Sequence, residues 1–190
     1  MVKPEGYDEA QAGGEFTPIE LGGHHLIIKG VEEKKSAKGK DMIVVYFDTA
    51  PNDRQPKYFS DLFEKDVRPE KKWPHNGTQY ILTMDFADPT KTSRNFKTFC
   101  TCVERSNNFE ISWGKDNWGG QFKGKKIGGT FGIVEEEYDG KVRKKHLLRW
   151  FTEDSKVDYD NIPNEKLLKG ASKDGFVDVP ENVANELPWN

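Results

Sequence analysis

The sequence predicts a mainly β domain of five strands, with one helix between the third and fourth and flexible termini. Three observations carry this. Short β-branched or aromatic runs recur between residues 25 and 151, bounded by Gly, Pro and Asn. The best helical periodicity lies at about residues 93–106. Only 34% of the 190 residues are hydrophobic while 12% are aromatic, which suits one small core with polar ends.

The elements follow in order. Residues 1–15 are polar, carry Gly6, Gly13 and Gly14, and read as a flexible N-terminal arm. The first strand is 25–32, short and partly alternating. A basic turn with Lys34, Lys35, Lys38 and Lys40 leads to the second, 42–47. That run is almost continuously apolar, as in strands buried on both faces. Residues 58–63 and 79–84 are further strand candidates, separated by a polar stretch holding Trp73 and Pro74. In the helix, Phe96, Phe99, Cys100 and Val103 share one stripe. Thr92 or Ser93 caps its start, and Asn107 and Asn108 end it. Strands at 126–135 and 144–151 pair across an Asp139-Gly140 hairpin turn. Gly128, Gly129 and Gly132 predict a bulge or sharp bend in the first of these. The domain spans 16–152, and the acidic, polar residues 153–190 read as a largely disordered tail. This order of elements is that of a five-stranded OB-type barrel, with an SH3-like or mixed α+β barrel as the competing architecture.

No apolar run approaches the ~20 residues of a membrane helix, and the N-terminus lacks the apolar core of a signal peptide. The expected location is the cytoplasm, without membrane attachment. Cys100 and Cys102 are too few for a disulfide scaffold and read as two free thiols. Two cysteines so spaced on one helix diverge, and His24, His25, His75 and His146 are scattered, so no metal site is expected. Residues 119–126 fit the G-x-x-x-x-G-K frame of a phosphate-binding loop. Lys126 stands where Ser or Thr would hold magnesium, and the segment leads into a strand instead of a helix. No catalytic motif is present, so the expectation is a protein that is not an enzyme and uses no cofactor.

Charge is unevenly spread. Residues 1–88 carry 12 basic and 16 acidic side chains, 89–150 carry 13 and 7, and 151–190 carry 4 and 9. A basic segment ahead of an acidic tail suits a polyanion-binding body. Within it, Trp113, Trp118, Lys123, Lys125 and Lys126 interleave flat rings with ammonium groups. Single-stranded nucleic acid is held in this way, bases on rings and phosphates on cations. The alternative is that these rings close the end of the barrel as core. Lys144, Lys145 and Arg149 form a second basic cluster beside Trp150, and Trp73 follows Lys71 and Lys72 as a third candidate. At the C-terminus, Leu187, Pro188 and Trp189 after Glu186 make an apolar tip on an acidic arm, suited to docking in a partner's pocket.

Residues 30–48, from Gly30 through the basic turn to Asp48, resemble the front of a family of small phage and prophage proteins of Gram-positive bacteria. Residues 104–108, 122–128 and 136–138 look like later parts of the same pattern, so the resemblance covers about residues 15–152. It implies an OB-like protein that binds single-stranded DNA in phage replication or recombination, in the cytoplasm of a bacterial host cell. The tip at Glu186, Leu187, Pro188 and Trp189 is similar to that of bacterial single-stranded DNA-binding proteins, which recruits replication and repair enzymes. It departs from that pattern in having Trp189 for Phe, a following Asn190, and Glu186 as the one acid in the last nine residues.

The expectation is therefore a single-stranded DNA-binding protein acting in phage replication or recombination, compatible with a homo-oligomer. The alternative is an OB-like interaction module that recruits replication or recombination partners with little DNA binding of its own.

Overall fold

A computed structural model describes residues 2–4, 7 and 17–168, with the backbone alone described at Tyr138. Five strands form one antiparallel sheet: β1 (Gly22–Lys35), β2 (Asp41–Thr49), β3 (Thr78–Leu82), β4 (Lys126–Tyr138) and β5 (Lys141–Thr152). Their spatial order is β3-β2-β1-β4-β5, an open sheet with β3 and β5 at its edges. Among the described residues there are two α-helices where one was expected: α1 (Tyr58–Glu64) between β2 and β3, and α2 (Arg94–Asn107) between β3 and β4.

The strand expectations hold for all of β1 to β5 and fail for the candidate at 58–63; β3 covers most of 79–84, and the other four are longer than the apolar runs that marked them. Polar ends of a strand still pair their backbones, so patterning understates length. The Asp139-Gly140 turn has φ of 53° and 67°, the two left-handed residues of a tight hairpin turn. The register of β4 against β5 shifts between Thr130 and Phe131, the bulge that the glycines anticipate.

Residues 58–63 are helical, not extended. Tyr58, Phe59, Leu62 and Phe63 fit a helical face as well as a short apolar strand. A tertiary contact decides between them. The Asp48 carboxylate, on β2, accepts the backbone N–H groups of Phe59 at 2.9 Å and Ser60 at 3.2 Å, and the Ser60 hydroxyl. The Thr49 hydroxyl accepts the N–H of Tyr58 at 2.8 Å. The orphan donors of the first turn are thus satisfied from the neighbouring strand.

One face of the sheet carries the core. Leu26 and Ile28 of β1, Val45 and Phe47 of β2, Ile81 of β3, and Phe131 and Phe151 of β4 and β5 are all buried there. Phe99 of α2 seats among them, with ring centroids 5.3 Å from Phe151 and 5.4 Å from Phe122. Cys100 and Cys102 are buried on the same helix, and burial pushes their thiols up to about 12 and about 11.

Residues 153–168 are not a loose tail but a strap packed onto the sheet. The Asp158 carbonyl accepts the N–H of Gly23 at 2.9 Å, and Asp154 bonds the His25 ring at 2.7 Å. Lys166 makes a parallel bridge to Val134 through two 2.9 Å backbone bonds. Glycines make room: a Cβ on Gly23 would lie 2.4 Å from the Asp158 oxygen, and one on Gly132 2.5 Å from Pro163. The strap is held by backbone groups and close approach, so its polar composition does not announce it. The rest of the expected tail, including Leu187, Pro188 and Trp189, lies outside the described residues. No helix among the described residues is long and apolar enough to cross a membrane.

Candidate nucleic-acid interface

The expected binding residues do not form one surface. Trp113 is 62% exposed and stacks on Trp118, centroids 5.5 Å apart. Trp118 is a core residue, 6% exposed, closed in by Phe96 and by Phe122 at 4.6 Å. Its ring faces are spent on neighbours and offer no platform for a base. Lys123 and Lys126 are exposed, while Lys125 lies over the Phe109 ring at 4.4 Å. Lys144 pairs with Glu165 at 2.5 Å and Lys145 with Glu136 at 2.7 Å. Arg149 is buried and donates to the Asn164 carbonyl at 2.7 Å, and burial lowers its pKa. It anchors the strap and has little access to phosphate.

Trp73 is the expected residue that the fold places in the wall of an aromatic cleft. It lies half-buried against Phe63, 5.6 Å between centroids, and its indole N–H donates to the Gly77 carbonyl at 3.0 Å. Its ring lines a cleft of about 670 Å³ on the outer face of β1, β2 and β3. The other walls are Lys29, Gly30, Glu32, Tyr46, Phe63, Lys72, His75, Thr78 and Tyr80.

Strand register builds this cleft. Core residues Ile43, Val45 and Phe47 alternate with Met42, Val44 and Tyr46, which therefore face the other way. Tyr46 sits opposite Gly30 on one side and Thr78 on the other, and Val44 opposite Glu32 and Tyr80. Gly30 has no side chain to cover Tyr46, and the register of β1 shifts beside it, between Ile28 and Gly30. Tyr80, on edge strand β3, is 56% exposed.

The charges are arranged in two ways. Glu32 is held by Lys34 at 2.6 Å and accepts from the Tyr46 hydroxyl at 3.2 Å, and chiefly the Lys34 contact lowers its pKa. Glu136 faces His75 at 3.4 Å besides its bond to Lys145; burial pushes its carboxyl up, but these partners prevail and hold it low. Lys29 and Lys72 make no ion pair among the described residues. The cleft thus joins four aromatic rings to two uncommitted ammonium groups.

Sequence reading missed Tyr46, Tyr80 and Lys29. The run 42–47 looks buried on both faces because Val44, on the outer face, is itself 0% exposed between Glu32 and Tyr80. The available signal is period two: Met42, Val44 and Tyr46 share one face, and the single aromatic at its end marks where that face opens. Among the described residues no group of three or more His, Cys, Asp and Glu side chains is placed to hold a metal ion.

No protein-family model matches the chain, and a search of curated proteins finds no match.

Proposed function

We propose that this protein binds single-stranded DNA on the outer face of β1, β2 and β3. The observation that carries the reading is the cleft in which Trp73, Tyr46 and Tyr80 stand beside uncommitted Lys29 and Lys72. Rings offer base-stacking surfaces of similar worth to every base, and ammonium groups neutralise phosphates. The strand order β3-β2-β1-β4-β5 is that of an OB barrel opened between β3 and β5, and the β2–β3 face is where such barrels take oligonucleotides. Lys38 of the β1–β2 turn and Lys141 and Arg143 of the β4–β5 hairpin are exposed, in the two loops that flank that face in such barrels. The resemblance to phage proteins supports a role in replication or recombination.

The test is fluorescence anisotropy with labelled oligo-dT against a duplex of equal length, at about 50 and 200 mM salt. Single-strand binding that weakens with salt, by about 0.7 in log-log slope per phosphate, supports the proposal. Absence of binding at low salt overturns it and turns attention to protein partners.

A further inference from the structure

The aromatic cleft does not end at edge strand β3. It shares His75, Thr78 and Tyr80 with a second depression of about 370 Å³. That one shares Gln79, Asn95 and Leu148 with a third, of about 220 Å³, between β3, α2 and β5. The third shares Arg94 and Thr98 with a fourth, of about 480 Å³, along the outer side of α2. Shared walls set the four in a row, a segmented trough from the sheet's outer face past β3 and onto α2.

The charge along this trough changes in a consistent way. Its carboxylates are already matched: Glu32 by Lys34, Glu136 by Lys145 and His75, Glu153 by Arg105 and Lys156. Arg94 and Lys97, both exposed in the first turn of α2, make no ion pair among the described residues. Thr98 and Thr101 follow on the same side of the helix, as hydroxyl donors suited to phosphate oxygens. Rings lie at one end of the trough and cations with hydroxyls at the other.

We infer that a longer single strand leaves the stacking cleft around β3 and lays its sugar-phosphate backbone on α2, against Arg94 and Lys97. This rests on the single-strand reading of the cleft and extends it. Bases are engaged on the sheet, and the strand continues onto the helix through phosphates alone. Short oligomers fill the cleft, and only longer ones reach α2.

The experiment compares oligo-dT of about 6 and about 16 nucleotides on the full chain and on the double variant Arg94→Gln, Lys97→Gln. Glutamine preserves helix propensity, so the variant should fold. Loss of two phosphate contacts lowers the log-log salt slope by about 1.4 for the longer oligomer. Its loss of affinity between about 50 and 200 mM salt then shrinks about sevenfold, while binding of the shorter oligomer stays unchanged. An unchanged slope with the longer oligomer, or an equal change with both, overturns the α2 path and leaves the cleft intact. Failure of the unaltered protein to bind either oligomer overturns the cleft reading itself.

Discussion

Replacing Tyr80 with Ala separates binding from folding more cleanly than any other change at the cleft. Tyr80 is 56% exposed on an edge strand and points away from the core that its neighbour Ile81 enters. Removing it forfeits strand propensity and part of the cover over Val44, so stability falls by about 1–2 kcal/mol. If a base stacks on the ring, its loss costs about 1–3 kcal/mol of binding. At 1.4 kcal/mol per tenfold, that is about 5- to 150-fold in Kd. Tyr80→Phe keeps the π-face and should bind within about twofold of the original protein. Anisotropy with oligo-dT gives the affinities, and urea unfolding gives the stabilities. If Tyr80→Ala binds as tightly as the original chain, the outer face is not the stacking surface and the argument from strand register fails.

Other expectations follow from the same structure. Trp118→Ala should cost about 3–5 kcal/mol of stability, the loss of a packed core ring, whereas Trp113→Ala should cost no more than about 1.5 kcal/mol, in parallel urea titrations. Asp48→Ala removes the acceptor for the first turn of α1 and should destabilise the fold by about 1–3 kcal/mol, with loss of amide exchange protection at Phe59 and Ser60. Burial pushes the Asp53 carboxyl up, but bonds from His24, Gln55 and His25 outweigh it and hold the pKa below the usual value. Its contribution to stability is complete above the unfolded-state value and is lost as pH falls through the lower folded one; acid melting curves of Asp53→Asn should therefore lack part of that decline. Neither Cys100 nor Cys102 should react with a thiol reagent at about pH 8 until the protein unfolds, since burial keeps both protonated.

What was legible in the sequence was whatever depends on neighbours along the chain. Short apolar runs marked the five strands, the Phe96-Phe99-Cys100-Val103 stripe marked α2, and Asp139-Gly140 marked its hairpin. What was not legible depends on residues distant in sequence. The helical state of 58–64 is selected by Asp48, ten residues before the helix begins. The strap at 153–168 is seated by Gly23, more than a hundred residues earlier. The candidate site suffered in the same way. Trp118 and Arg149 carry the residue types of a binding surface, yet their surroundings bury them. Tyr46 and Tyr80 drew no notice because their exposure comes from a glycine and an edge strand beside them, not from their own segments.

The bond between His25 and Asp154 spans 129 residues. At a synthesis rate of about 5–20 residues per second, that separation is roughly 6–26 s of ribosome time. β1 leaves the exit tunnel and can pair with β2 almost at once, but its first residues wait for β4 and for the strap. Over that interval a glycine-bearing strand edge stands open to any other chain. Such long-range closure places the fold among slow folders, and makes the rate of translation relative to pairing a determinant of yield.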